Sequence, residues 1–242
     1  MAFFGLFGKS TGEAAVRKHA ERVLKRHAQS PDRWESIQAL AAMGTPEALE
    51  ALLGRFTIYV DPSISDQEEK EAAFEGVVNA GALAIEPVRA FMLRAESLSW
   101  PIRILDKLLE PTEVITEIIG LLGKMDTEYA RDPQRKQQLL AELEERRDPR
   151  IVEAVKRFLE DVNETARYHA VCAIYAQAEA ETARAEIVKA LAAEESVRVR
   201  SRILEGLAER SWDVGAARDK IAAVLPTGFT LDKDGVPKKK GK

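Results

Sequence analysis

The chain has 242 residues, 45% of them hydrophobic and 31% charged, with a formal net charge of −4 and one cysteine. That length can bury a sizeable core, but a lone cysteine excludes both a disulfide framework and a thiolate metal cage. Aromatic residues make up only 6%, which suits closely approaching helices better than a sheet sandwich.

In chain order, Met1-Ala2-Phe3-Phe4-Gly5-Leu6-Phe7-Gly8 comes first. It is apolar but too short for a signal-peptide core and has no cationic stretch ahead of it. Phe3, Phe4, Leu6 and Phe7, with Lys9 behind them, suit either the capping of an open helical end or a peripheral contact with an anionic membrane. Residues 13–28 predict a basic capping helix, with five Lys or Arg against two Glu. Twelve helices in six pairs are then expected: 31–43 with 46–56, 67–80 with 83–96, 100–109 with 112–123, 133–146 with 149–160, 163–177 with 181–193, and 196–209 with 214–224. Ser30-Pro31, Thr45-Pro46, Asp132-Pro133 and Asp148-Pro149 mark starts, as do Thr112 after Pro111 and Asp66 with Glu69 as a capping box. Gly44, Gly54, Gly81 and Gly123 mark stops. The β-prone segment 57–65, with Tyr59 in it, reads as a loop whose Ile58 and Val60 plug a groove, or as a partner-binding loop. Residues 226–242, rich in Lys, Gly and Asp, read as a disordered basic tail. No run approaches the roughly 20 apolar residues of a membrane span, and a soluble protein of the reducing cytoplasm is expected.

A longer period overlies the helices. Arg33, Lys70, Pro101, Lys136, Arg167 and Arg200 are each followed at +3 by Ser36, Ala73, Ile104, Leu139, Ala170 or Ile203. At +7 stand Leu40, Val77, Leu108, Leu143, Ile174 or Leu207. The spacing between anchors, 31 to 37 residues, is that of a two-helix repeat stacked into a solenoid. Residues 30–225 would then form one repeat body flanked by residues 1–29 and the tail.

Two stretches, Asp161-Val162-Asn163-Glu164-Thr165-Ala166-Arg167 and Glu194-Glu195-Ser196-Val197-Arg198-Val199-Arg200, resemble the HEAT-repeat family and its bacterial HEAT-like members. Thr45-Pro46-Glu47-Ala48-Leu49 and Asp148-Pro149-Arg150-Ile151-Val152 look like the other helix of that hairpin. The resemblance implies an all-α solenoid of about six hairpins whose anchor helices line a concave face. It also implies a ladder of hydrogen bonds between hairpins, matched by Asp161 with Arg167 and Glu194 with Arg200. Lys70 and Lys136 lack an acid at that spacing, and Pro101 replaces the base.

Enzymes similar to this family supply tests. The hydroxylases among them use His-Glu pairs, but His19, His27 and His169 are each followed by Ala, and no metal or cofactor set is legible. DNA glycosylases on such arrays use Trp and Asp in a basic cleft. Trp34, Trp100 and Trp212-Asp213 supply the residue types, while the acidic body argues against nucleic acid. A bilin-lyase-like chromophore site has no counterpart, and Cys172, on an apolar stripe, reads as an inert thiol. There is no Gly-x-Ser-x-Gly elbow and no Gly-rich phosphate loop, so no catalytic residue is assigned. The remaining class is a non-catalytic scaffold for a partner protein or peptide, with Trp34, Tyr59, Trp100, Arg103, Lys107, Tyr168, Arg198 and Arg202 as candidate contacts. A nucleic-acid repair enzyme is the alternative. The Trp100-Pro101 break and the insertion at 57–65 are the two irregular places in the repeat.

Overall fold

A computed structural model describes residues 5–129 and 133–240, with side chains from residue 12 onward. The described residues form thirteen α-helices and one two-stranded sheet, an all-α protein. Two compact units divide within α7, one ending at Val114 and one beginning at Ile115.

The first unit holds α1 (Gly5–Leu24), α2 (Ser30–Met43), α3 (Pro46–Gly54), α4 (Ser63–Asn79), α5 (Ile85–Arg94), α6 (Ser99–Leu108) and the opening of α7 (Pro111–Leu122). A 3-10 turn, Arg55–Thr57, follows α3, and another, Gly81–Ala84, leads into α5. α1 packs on α2 and α3, α2 on α4, α4 on α6, and α3 on α5. Helices this short do not persist alone in water, so these contacts hold them. On α3 the stripe Ala48, Leu49, Leu52 and Leu53 is fully buried, as its 3.6-residue spacing requires. α1 starts well before the basic stretch at 13–28 and stops at Leu24.

In the second unit, after the rest of α7, come α8 (Gln134–Glu144), α9 (Arg150–Val155), α10 (Glu164–Tyr175), α11 (Arg184–Ala193), α12 (Val197–Glu209) and α13 (Arg218–Ala223). α8 packs on α10 and α10 on α12, while the 3-10 turn Lys156–Glu160 meets α11 and α11 meets α13. Every +3 position of the sequence repeat is buried in one unit or the other, and so is every +7 position except Leu108, which is partly exposed. The repeat thus marks the inward stripe of α2, α4, α6, α8, α10 and α12.

The tail departs from expectation. β1 (Phe229–Leu231) and β2 (Pro237–Lys239) form an antiparallel hairpin instead of disordered chain. Composition misleads there because polar side chains build the turn: Asp232 Oδ1 accepts from the Asp234 and Val236 N–H groups. Arg218 then donates to the carbonyls of Asp232 and Lys233, Phe229 and Val236 are buried, and Lys239 pairs with Glu205 at 2.7 Å.

The start signals divide. Thr45 Oγ1 accepts from the Ala48 N–H as a cap should. Asn163 and Ser196 cap α10 and α12 in the same way. Asp66 and Glu69 are not a capping box, because α4 begins at Ser63 and both carboxylates turn inward. Asp132 lies outside the described residues. Gly44 and Gly81 take the left-handed conformation expected of stops, while Gly54 stays helical. Among the described residues, no single helix is long and apolar enough to cross a membrane.

Candidate functional site

The first unit is built around a buried ionic network. Glu69, fully buried, accepts from Arg33 Nε at 2.8 Å, Arg55 Nε at 3.0 Å and Ser30 Oγ at 2.9 Å. Asp66 accepts from Arg55 Nη2 at 2.8 Å, Lys70 Nζ at 2.7 Å and the Val60 N–H at 3.1 Å. Desolvating such charges costs several kcal/mol each unless every one is met. Here two guanidiniums and two carboxylates answer each other. Lys70, which lacks an acid six residues earlier, finds Asp66 four residues earlier instead.

The network contributes to the acid response, as Glu194 paired with Arg167 does in the second unit. Burial alone would raise the carboxyls of Asp66 and Glu69, but bonds from Lys70 and Arg55 to Asp66, and from Arg33 and Ser30 to Glu69, outweigh it and hold both below ordinary values. The folded state therefore binds fewer protons than the unfolded chain in acid, so this stabilisation is complete above the unfolded values, about pH 4 to 4.5. It is lost as pH falls through the lower, folded values. The melting temperature of the protein is expected to be level near neutral pH and to fall steeply below about pH 4, with Glu69→Gln less acid-sensitive than the parent. Equal acid slopes in the two proteins would show that Glu69 does not contribute to the acid response.

The network also places an aromatic ring. Arg55 opens the 3-10 turn after α3 and donates to the Ile58 carbonyl at 3.1 Å, so the turn is fixed from inside. Phe56, next in the chain, stacks on Trp100 of α6 with ring centres 5.0 Å apart and planes 17° from parallel. Phe74 of α4 lies 6.1 Å from the same indole. The Arg103 guanidinium covers both, 4.4 Å from the Trp100 ring and 4.9 Å from Phe74, and reaches Glu71 at 3.4 Å. Beside this stack a cleft of about 330 Å³ is lined by Phe56, Thr57, Phe91, Arg94, Ala95 and Glu96. Phe56, the residue just ahead of the insertion, thus meets Trp100, where the repeat breaks.

Other expected contacts fall apart from this stack. Lys107 is exposed one turn beyond Arg103 on α6. Trp34 on α2 is 42% exposed, with α4 lying between α2 and α6. Tyr59 is 55% exposed beneath Lys70, whereas its neighbour Val60 is buried, so the insertion is pinned rather than loose. Phe3 and Phe4 lie outside the described residues, and Leu6 and Phe7 outside the described side chains.

In the second unit the ladder runs one step differently from the expected pairing. Lys136 Nζ meets Asp161 at 2.6 Å, and Arg167 meets Glu194 at 2.7 and 2.8 Å. Each carboxylate therefore answers the base of the preceding anchor helix. Arg167 and Arg200 touch Asp161 and Glu194 only through backbone carbonyls. Lys136 belongs to the ladder despite lacking an acid six residues earlier.

Tyr168, Arg198 and Arg202 do come together. Arg198 lies 3.8 Å over the Tyr168 ring, and Arg202 donates to Cys172 Sγ at 3.4 Å while lying over Tyr175. Burial pushes the Cys172 thiol up despite Arg202, so it is poorly suited to act as a nucleophile. His169 pairs with Glu144. Asp213 pairs with Arg184, and Trp212 lies 6.4 Å from Tyr175. Among the described residues no three His, Cys, Asp or Glu side chains converge on a metal site.

Compared with models of known protein families, with curated proteins and with solved structures, the chain matches none. The sequence pattern did not reveal Phe56 and Phe74. Phe74 carried a signal, four residues past the anchor Lys70, but Phe56 stands at the end of a partner helix, where only the tertiary turn reveals it.

Proposed function

We propose that the chain is a HEAT-like helical scaffold without catalytic chemistry, and that it binds a partner protein or peptide at the Trp100–Arg103 surface. The observation that carries this is the surface stack of Phe56, Trp100, Phe74 and Arg103 beside an open cleft. Trp and Arg concentrate binding energy at interfaces when they are held rigid, and both are held here at low further cost in side-chain entropy. The Arg198–Tyr168 pair is a secondary contact surface of the same residue types. The location is the cytoplasm, in keeping with the single free thiol.

A photo-crosslinking residue at Lys107, exposed one turn beyond Arg103 on α6, is expected to trap one protein in cells. Trp100→Ala with Arg103→Ala should abolish that adduct, by about tenfold or more for an interface centred on these side chains, without lowering the melting temperature comparably. An unchanged adduct in the double variant would refute the site.

A further inference from the structure

We propose that the exposed face of α1 and the turn after it dock the protein on an anionic lipid surface. The inner side of α1 is committed to the fold, with Val23 buried and His19 Nδ1 3.2 Å from Ser36 Oγ. Arg17, Lys18, Lys25 and Arg26 are exposed to solvent, with Glu13 and Glu21 as the exposed acids of α1 itself and Asp32 and Glu35 on the neighbouring α2. The one contact among these groups, Arg17 with Glu21, is 3.9 Å long between side chains 83% and 74% exposed, and so holds little. Arg22 leans toward Glu35, also at 3.9 Å. Lys18, Lys25 and Arg26 are therefore spare: among the described residues, none of their side chains holds another element in place.

Charge is uneven within the first unit. Residues 1–28 carry six Lys or Arg against two Glu, whereas residues 29–114 carry seven against fifteen Asp or Glu. An anionic bilayer attracts the former stretch and repels the latter, which favours α1 as the contact. An apolar element accompanies the charge: Leu24 is 44% exposed among the cations. Cations around an exposed aliphatic side chain match a headgroup layer over acyl chains. A phosphodiester backbone has no use for the apolar part, so lipid is favoured over nucleic acid. Docking of this kind is independent of the aromatic stack on α6.

The test is co-sedimentation of the full-length protein with phosphatidylcholine vesicles, with and without phosphatidylserine, at low and high salt. Pelleting is expected only with phosphatidylserine and should be lost at high salt. The variant Lys18→Glu/Lys25→Glu/Arg26→Glu should bind at least about tenfold more weakly, because each cation near the surface adds to the attraction, at an unchanged melting temperature. If that reversal impairs folding, the triple Gln variant should show the same weakening. Equal pelleting of parent and variant, equal pelleting on neutral vesicles, or tighter binding to duplex DNA than to phosphatidylserine vesicles at the same salt would each overturn the proposal.

Discussion

Glu69→Ala is expected to cost about 3 to 5 kcal/mol of folding stability, the range for stranding a buried charge by removing its partner. The size comes from geometry. One fully buried carboxylate neutralises two buried guanidiniums, Arg33 and Arg55, and also takes the Ser30 hydroxyl. After truncation Arg55 keeps Asp66 and the Ile58 carbonyl, but Arg33 keeps only the carbonyls of Arg26 and Ala28. Desolvation of a cation without a counter-charge then outweighs the side-chain entropy released by the shorter residue. Urea titration measures the loss, and a cost below about 1 kcal/mol would mean that water enters the site and the network is not dry. Because Arg55 keeps the Ile58 carbonyl that fixes the turn carrying Phe56, the Trp100 stack should survive in the folded variant.

Gly206→Ala should destabilise the second unit by about 3 kcal/mol, at the upper end of overpacking costs. An added Cβ would lie 2.0 to 2.4 Å from ring carbons of Tyr175, far inside van der Waals contact. That ring cannot simply swing away: it is 4% exposed, its hydroxyl donates to the Ile203 carbonyl at 2.9 Å, and Arg202 and Arg210 lie over it. The gain of about 1 kcal/mol from alanine's better helix propensity is too small to compensate. In a Tyr175→Ala background the same change should be nearly neutral or favourable, since the clash has gone, and such non-additivity marks direct contact. Additive costs would show that α12 accommodates the methyl without involving Tyr175.

Much of the local structure was legible. Thr45 caps its helix with a side-chain oxygen as its place before Pro46 suggests, a local interaction that needs no knowledge of the fold. The buried +3 and +7 positions result equally from helical spacing and the hydrophobic effect. The bases at Arg33, Lys136 and Arg167 were visible as anchors, but their partners were not. Glu69 lies 36 residues from Arg33, and Glu194 lies 27 from Arg167. Asp66 illustrates why: near Glu69 and ahead of an apolar run, it looks like a cap, and only the position of Arg55 turns it into a buried counter-charge.

By itself the sequence determined the helices, their inward stripes, the absence of a disulfide framework and the two places where the repeat breaks. Those properties rest on interactions within one turn or one helix, so neighbouring residues specify them. The tertiary structure decided that Phe56 reaches Trp100, that each ladder acid serves the preceding helix, and that the Lys-rich tail folds as a hairpin. Each of these depends on two segments distant in the chain arriving within a few ångströms, and charge or hydrophobicity along the sequence carries no record of that distance.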